Sequence, residues 1–297
     1  MSHRFFLDPQ TPDSIKVGTE LLLDGDQAHH AIHVMRFQTG DELVLFDGRG
    51  MEFGSRVVSI AKKKLSVEVV SVTKLNRSVS TEITIAVALP KGDRQKFLIE
   101  KLVELGVAHL IPLKTSRSVA VPNEKVTERL RKQVIEASKQ CGRNHLMTIA
   151  EGKDLRQLGV CLDARLELST GSHSESTTEP KLESRSAVEL DDQPASDKDS
   201  KADSETDSKT SEPERVLGSE CKRFIADPYQ GESIAAVASK IFSSVVIAIG
   251  PEGGFDDKEN DLARELGFAP LTLGPSILRV ETAALAAAAI FGIGRNT

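Results

Sequence analysis

Apolar and polar positions alternate along the first part of the chain. Val57, Val58 and Ile60, then Leu65, Val67, Val69, Val70 and Val72, follow a broadly period-two pattern with Lys62-Lys63-Lys64 between them. This predicts a half-buried hairpin over Glu52–Ile60 and Leu65–Val72. Short apolar runs at His3–Leu7, Glu20–Asp24 and Asp41–Asp47 predict further strands, and Gly48-Arg49-Gly50 marks a turn. A short helix is expected over Asp26–Met35, with Asp26 as its N-cap. Short strands separated by glycine turns over residues 1–78 suggest a small barrel.

Beyond Ser80 the period changes. Strands are expected at Glu82–Leu89, His109–Leu113, Arg223–Ala226, Val245–Ile249 and Leu271–Leu273. Helices are expected at Arg94–Leu105, Glu124–Gln140, Ser233–Phe242, Asp257–Leu266 and Glu281–Phe291. Gly106 and Gly142 sit just past two of these helices, where a left-handed cap is common. Continuous apolar strands alternating with helices predict an α/β domain, residues 81–297, with a parallel sheet covered on both faces.

Charge sharpens this division. The net charge of −6 averages two unlike parts of the 297 residues. The 46 residues Ser169–Glu214 hold 13 acids, 5 bases, 16 Ser/Thr and no aromatic residue, whereas the remainder carries 33 bases and 31 acids. That stretch lacks the apolar surface to offset ordering entropy and is expected to be a disordered insertion at 169–214. The rest is mildly basic and compatible with a polyanionic partner. No apolar run is long enough to span a bilayer, and Met-Ser-His-Arg-Phe-Phe-Leu lacks a signal-peptide stretch. Cys141, Cys161 and Cys221 are far apart, which fits free thiols in a reducing, cytoplasmic setting. His29, His30 and His33 have helical spacing, yet no carboxylate or cysteine nearby completes a metal set, so no metal is expected.

Candidate chemistry concentrates in two loops. Ile249-Gly250-Pro251-Glu252-Gly253-Gly254-Phe255 follows a buried strand and precedes a helix with a capping-box pattern, Asp256 and Glu259. Glycines at the carboxyl end of a parallel strand let a ligand approach the backbone. The spacing is not that of a dinucleotide fingerprint or a P-loop. Pro251 removes an amide donor and Glu252 adds negative charge, so a neutral or cationic ligand suits the loop. Leu273-Gly274-Pro275-Ser276-Ile277-Leu278-Arg279-Val280-Glu281-Thr282-Ala283 repeats the plan of strand, Gly-Pro turn and helix. The helix that follows is alanine-rich, which permits close backbone contact.

Gly250–Phe255 and Leu273–Ala283 closely resemble signature motifs of the knotted (SPOUT) methyltransferases, and within them the ribosomal RNA small subunit methyltransferase E family. Lys91-Gly92-Asp93-Arg94, Ile99–Val107, Glu136–Arg143 and His30–Arg36 extend the resemblance over all but the acidic stretch. Lys91 departs from it, standing where relatives often carry Arg. The resemblance implies a PUA-like, RNA-contacting barrel, a carboxyl-terminal deep trefoil knot, a homodimer and methylation of uridine N3 in 16S rRNA from S-adenosylmethionine. It implies cofactor contacts from Gly250, Pro251, Glu252, Gly253, Gly254, Leu273, Gly274, Ile277, Leu278, Thr282 and Ala283. RNA contacts are expected from His30, Arg36, Lys91, Arg94 and Arg143. Arg279 is expected to orient the uracil or stabilise its developing charge, and Glu281 to accept the proton; as a structural alternative, the two form an ion pair at the helix start. Ribose 2′-O methylation and a non-catalytic assembly role remain open alternatives.

Overall fold

The computed structural model describes residues 3–7, 15–118, 123–170, 221–240 and 242–293. Strands β1 (Arg4–Phe6), β2 (Glu20–Leu23), β3 (Glu42–Phe46), β4 (Met51–Ala61) and β5 (Lys64–Lys74) form a mixed sheet in the order β1-β3-β4-β5-β2. Register shifts at Gly54/Ser55 and Val57/Ser59 bend the long hairpin. Phe5, Leu21, Leu45, Phe53 and Val67, one from each strand, meet in a single apolar core. The helix α1 (Gly25–His29) continues as a π-helical turn over His30–Val34. Its N-cap is Asp24 rather than Asp26. Asp26 lies in the first turn, where the helix dipole favours a carboxylate. Gln27 donates to the Phe6 carbonyl and accepts from the Phe6 N–H, serving the β1 edge much as a neighbouring strand would.

The second sheet contains β6 (Glu82–Val87), β7 (His109–Pro112), β8 (Thr148–Ile149), β9 (Cys221–Ala226), β10 (Glu232–Ser233), β11 (Ser244–Ile249) and β12 (Ala269–Thr272). Its order is β10-β12-β9-β11-β6-β7-β8, and every neighbouring pair is parallel. Ile83, Ile85 and Val87 join one core while Ala86 joins another, so the sheet is covered on both faces as its apolar strands predict. The helices are α2 (Asp93–Glu104), α3 (Glu124–Cys141), α4 (Leu155–Thr170), α5 (Ile234–Ala238), α6 (Asp257–Glu265) and α7 (Val280–Ile293).

Gly142 closes α3 in the left-handed conformation, and Asp256 and Glu259 form the expected capping box. α5 is shorter than its apolar pattern suggests. β8 and β10 are too short to leave a periodic signal. α4 is also unforeseen, although Leu155, Leu158 and Leu162 carry its buried stripe at helical spacing. It continues through Thr170, so the expected insertion begins in helix; the remainder of 169–214 lies outside the described residues.

The two sheets are joined at the Gly48-Arg49-Gly50 turn. Asn144 Nδ2 donates to the carbonyls of Gly50 and Leu75 at 3.3 and 2.9 Å. The Gly50 N–H donates to the Asn144 carbonyl at 3.1 Å. A Cβ at Gly50 would come within 2.6 Å of the His145 ring, so this approach requires glycine. α7 makes a comparable approach to the end of α2, where a Cβ on Gly292 would lie 2.3 Å from the Leu105 carbonyl oxygen. Overpacking of this kind typically costs about 1–3 kcal/mol. Gly292→Ala should therefore lower unfolding stability by about that amount in denaturant titrations; an unchanged midpoint would contradict the close contact.

Candidate active site

The neighbouring strands β12, β9, β11 and β6 run parallel, so the loops from their carboxyl ends gather at one edge of the sheet. Loops 273–279, 227–231 and 250–256 line a cavity of about 800 Å3, including space open to solvent. The cavity wall is set by local geometry. Gly254 turns back with φ 70°, its N–H donating to the Pro251 carbonyl at 2.8 Å. Gly274 has φ 142°, another conformation that L side chains rarely adopt. The third loop is an Asx turn in which Asp227 Oδ1 accepts from the N–H groups of Tyr229 and Gln230 at 2.8 and 3.0 Å. Thr272 Oγ1 donates to the Gln230 carbonyl and ties that turn to β12.

A segment between β7 and α3 braces the glycine-rich loop. Arg117 Nη1 donates to the Gly253 carbonyl at 2.5 Å. Beside it the Ser116 N–H donates to Glu259 Oε1 at 2.8 Å, and Glu259 Oε2 accepts from the Asp256 N–H at 2.9 Å. One carboxylate thus secures both the α6 capping box and the bracing segment.

A smaller cleft of about 440 Å3, also counted with open space, lies alongside. It is lined by Ala88, Leu89, Pro90, Lys91 and Arg94 together with Pro251, Glu252 and Val280. These last three residues also line the larger cavity, so the two spaces share a wall. Arg94 Nη1 reaches Glu252 Oε1 at 2.6 Å and lies 3.8 Å from Glu281 Oε1. The bond from Arg94 holds the Glu252 carboxyl below its ordinary range, with a further contribution from the charge of Arg279. Glu252 in turn raises the Arg94 guanidinium. Glu281 is buried, and its Oε2 finds no hydrogen-bond donor among the described residues.

The cavity gathers ten of the eleven residues expected around a cofactor; Thr282 is instead exposed on α7 and absent from the wall. Arg279 is exposed at the entrance to α7, while Glu281 lines neither space and faces Arg94. The alternative of an Arg279–Glu281 ion pair is thereby replaced by Arg94–Glu281. Lys91 and Arg94 line the smaller cleft. His30 is half-buried near the Phe5 ring, with centroids 6.5 Å apart. Arg36 is exposed and left-handed, with φ 58°.

Arg143 requires correction as an RNA contact. It is buried, with Nη1 donating to the carbonyls of Val107 and Val103 at 2.6 and 3.3 Å. Its guanidinium closes the end of α2 rather than facing a phosphate, and burial lowers its pKa. Asp227, Tyr229 and Arg117 are functional candidates that the sequence reading missed. The Asp-Pro pair after β9 is a readable turn signal. Arg117, 136 residues from Gly253, leaves no local signal.

The Arg94–Glu252 pair has a definite pH signature. Because the folded carboxyl is depressed, its stabilisation is present above the unfolded value and is lost as pH falls through the folded one. In a carboxyl NMR titration Glu252 should have a midpoint below the ordinary 4.5, and Arg94→Met should move it upward. An unmoved midpoint would contradict the pairing.

Residues 23–70 match the RNA methyltransferase PUA domain. Ribosomal RNA small subunit methyltransferase E of Bacillus subtilis is 27% identical over 288 residues, covering 95% of this chain and 93% of the relative. A Legionella pneumophila protein, described as a methyltransferase and solved with SAM bound, shares 25% identity at a TM-score of 0.70. The alignment covers 98% of this chain and 97% of that one. A ribosomal RNA small subunit methyltransferase E from Neisseria gonorrhoeae also has a TM-score of 0.70, at 24% identity, covering 97% of this chain and 96% of its own. That likeness supports the fold. Residues 77–187 and 208–292, more than half the chain, match the RNA methyltransferase domain, and the chain belongs to that family.

Proposed function

We propose that this protein methylates N3 of a uridine in 16S rRNA of the small ribosomal subunit, using S-adenosylmethionine. The cavity built from loops 227–231, 250–256 and 273–279 carries the reading. S-adenosylmethionine fits it on two counts. The glycine turns leave backbone accessible, and Glu252 on the wall offers a negative charge to a cationic sulfur. When bound, the cofactor supplies a methyl group already activated on that sulfur.

The chain's own contribution is alignment and charge. Gly250, Pro251, Gly253, Gly254, Leu273, Gly274, Ile277, Leu278 and Ala283 hold the donor, with Arg117 fixing the Gly253 carbonyl. Arg279 lies at the rim, where a guanidinium would stabilise negative charge on the uracil ring. Glu281 stands behind Arg94 and acts through it, so the base that removes the N3 proton is a different group. The amino-terminal part, residues 1–78, presents His30 and Arg36 to RNA, while Lys91 and Arg94 serve the methyltransferase part, residues 81–297. The protein works in the cytoplasm. After β12, at one side of the sheet, α7 packs on the central strands β6 and β11. This return is consistent with a trefoil knot.

We also propose a homodimer. The half-buried Leu285, Ala286, Ala289 and Ile290 on α7 form its candidate seam. Light scattering should report a dimer at micromolar concentration; an active monomer would refute it.

Mass spectrometry of 16S rRNA from cells lacking the protein should show loss of 3-methyluridine. Retention of that nucleotide would overturn the assignment. A paired experiment separates binding from chemistry. Gly253→Val places bulk where a Cβ already meets Arg117 at 3.1 Å, so calorimetry should show much weaker S-adenosylmethionine binding. Arg279→Ala should keep that affinity while losing about 100–1,000-fold in single-turnover methylation of 30S subunits. Arg279→Lys should recover little, because an ammonium lacks the planar fork. Near-normal turnover in Arg279→Ala would remove this residue from the mechanism.

A further inference from the structure

Methyl transfer requires the acceptor atom to sit beside the donor methyl group. The smaller cleft meets that requirement because Pro251, Glu252 and Val280 separate it from the larger cavity and belong to both. Its remaining polar lining is cationic, consisting of Lys91 and Arg94. Lys91 is exposed and makes no ion pair among the described residues. Arg94 is held by Glu252 on one side and faces Glu281 on the other.

We propose that this smaller cleft is the acceptor-base site, and that Lys91 and Arg94 select uracil by donating to its two ring carbonyls. The proposal rests on the uridine-methylation reading above. Uracil presents carbonyl oxygens on both sides of N3. With a cationic donor on each, N3 is directed at the shared wall, where the methyl group arrives. Loss of the N3 proton spreads negative charge onto those two oxygens, so the same cations favour the reactive anion. Cytosine carries an amino group in place of one carbonyl and would set a donor against a donor. Leaving such a group unpaired is a strong basis for rejection.

Glu281 supplies the reason Arg94 stays in place. In the free protein Arg94 is bonded to the largely exposed Glu252, a partner it exchanges for the base. The buried Glu281 carboxylate, with one oxygen lacking a hydrogen-bond donor among the described residues, holds the guanidinium from behind during that exchange. Glu281 is therefore a positioning residue for Arg94.

The test uses the full chain with S-adenosylhomocysteine, which lacks the methyl group, and small subunits reconstituted around 16S rRNA. The methylated nucleotide, once mapped by mass spectrometry, is replaced by a single 4-thiouridine. Photo-cross-linking should join it to the peptide containing Ala88–Arg94. Lys91→Met and Arg94→Met should bind S-adenosylhomocysteine within about threefold of wild type in calorimetry. Their single-turnover rates should fall about tenfold or more, as expected for loss of a charged hydrogen bond. The pH of half-maximal rate should rise by roughly one unit in Lys91→Met, because one cation no longer favours the N3 anion. A residue that merely grips RNA would leave that midpoint unmoved. Cross-linking to a different segment, or an unshifted midpoint with cofactor affinity intact, overturns the proposal and leaves methyl transfer standing. A wild-type protein that binds no S-adenosylhomocysteine overturns the methyltransferase reading and this proposal with it.

Discussion

The approach of α7 to the end of α2 is the constraint on which the site depends. Gly292 lies so close to the Leu105 carbonyl that a side chain has no room there. Along the same helix Ala283, Ala284, Ala287 and Ala288 are buried, and their small size lets α7 sit low over β6 and β11. This depth places Glu281, near the start of α7, within 3.8 Å of Arg94 on α2. The alanine-rich composition therefore sets this contact through backbone proximity, independent of any chemistry of alanine.

Around that contact the parallel sheet supplies the remaining geometry. β11 delivers Glu252 to the wall between two cavities, β6 delivers Lys91 to the smaller one, and β9 and β12 complete the larger. Charge is distributed accordingly. The larger cavity has Glu252 on its wall, suited to a cationic donor. Lys91 and Arg94 line the smaller cleft, as the proposed acceptor base requires. Glu252 stands on the shared wall and the two cations only in the smaller cleft, so opposite charges face adjoining spaces. Arg117 steadies that wall from outside through the Gly253 carbonyl.

Polar residues with similar sequence neighbourhoods have quite different fates. Arg94 and Arg143 both lie in basic segments resembling the same family. Arg94 reaches a cleft, whereas Arg143 is buried against the carbonyls of Val103 and Val107. Gly142 causes part of this difference: its left-handed turn ends α3 and directs the next residues inward, where Asn144 joins the two sheets. Glu281 diverges in the same manner from the exposed Arg279, two positions earlier. The helical turn sends one side chain towards α2 and leaves the other in solvent.

Features governed by local physics are legible in the order of residues. Period-two apolar runs specified the hairpin, continuous apolar runs specified the buried parallel strands, and Asp256 with Glu259 specified where α6 begins. The Gly-Pro loops were legible as candidate ligand loops because glycine frees the backbone and proline fixes it wherever they occur. Which distant groups meet depends on the folded chain. Arg117 with Gly253 and Arg94 with Glu252 and Glu281 are contacts between segments far apart in the chain, and the Asp227–Tyr229 turn shares one cavity with both Gly-Pro loops. Such contacts follow from strand order and helix depth. These are set by packing the whole core, so no window of residues carries them.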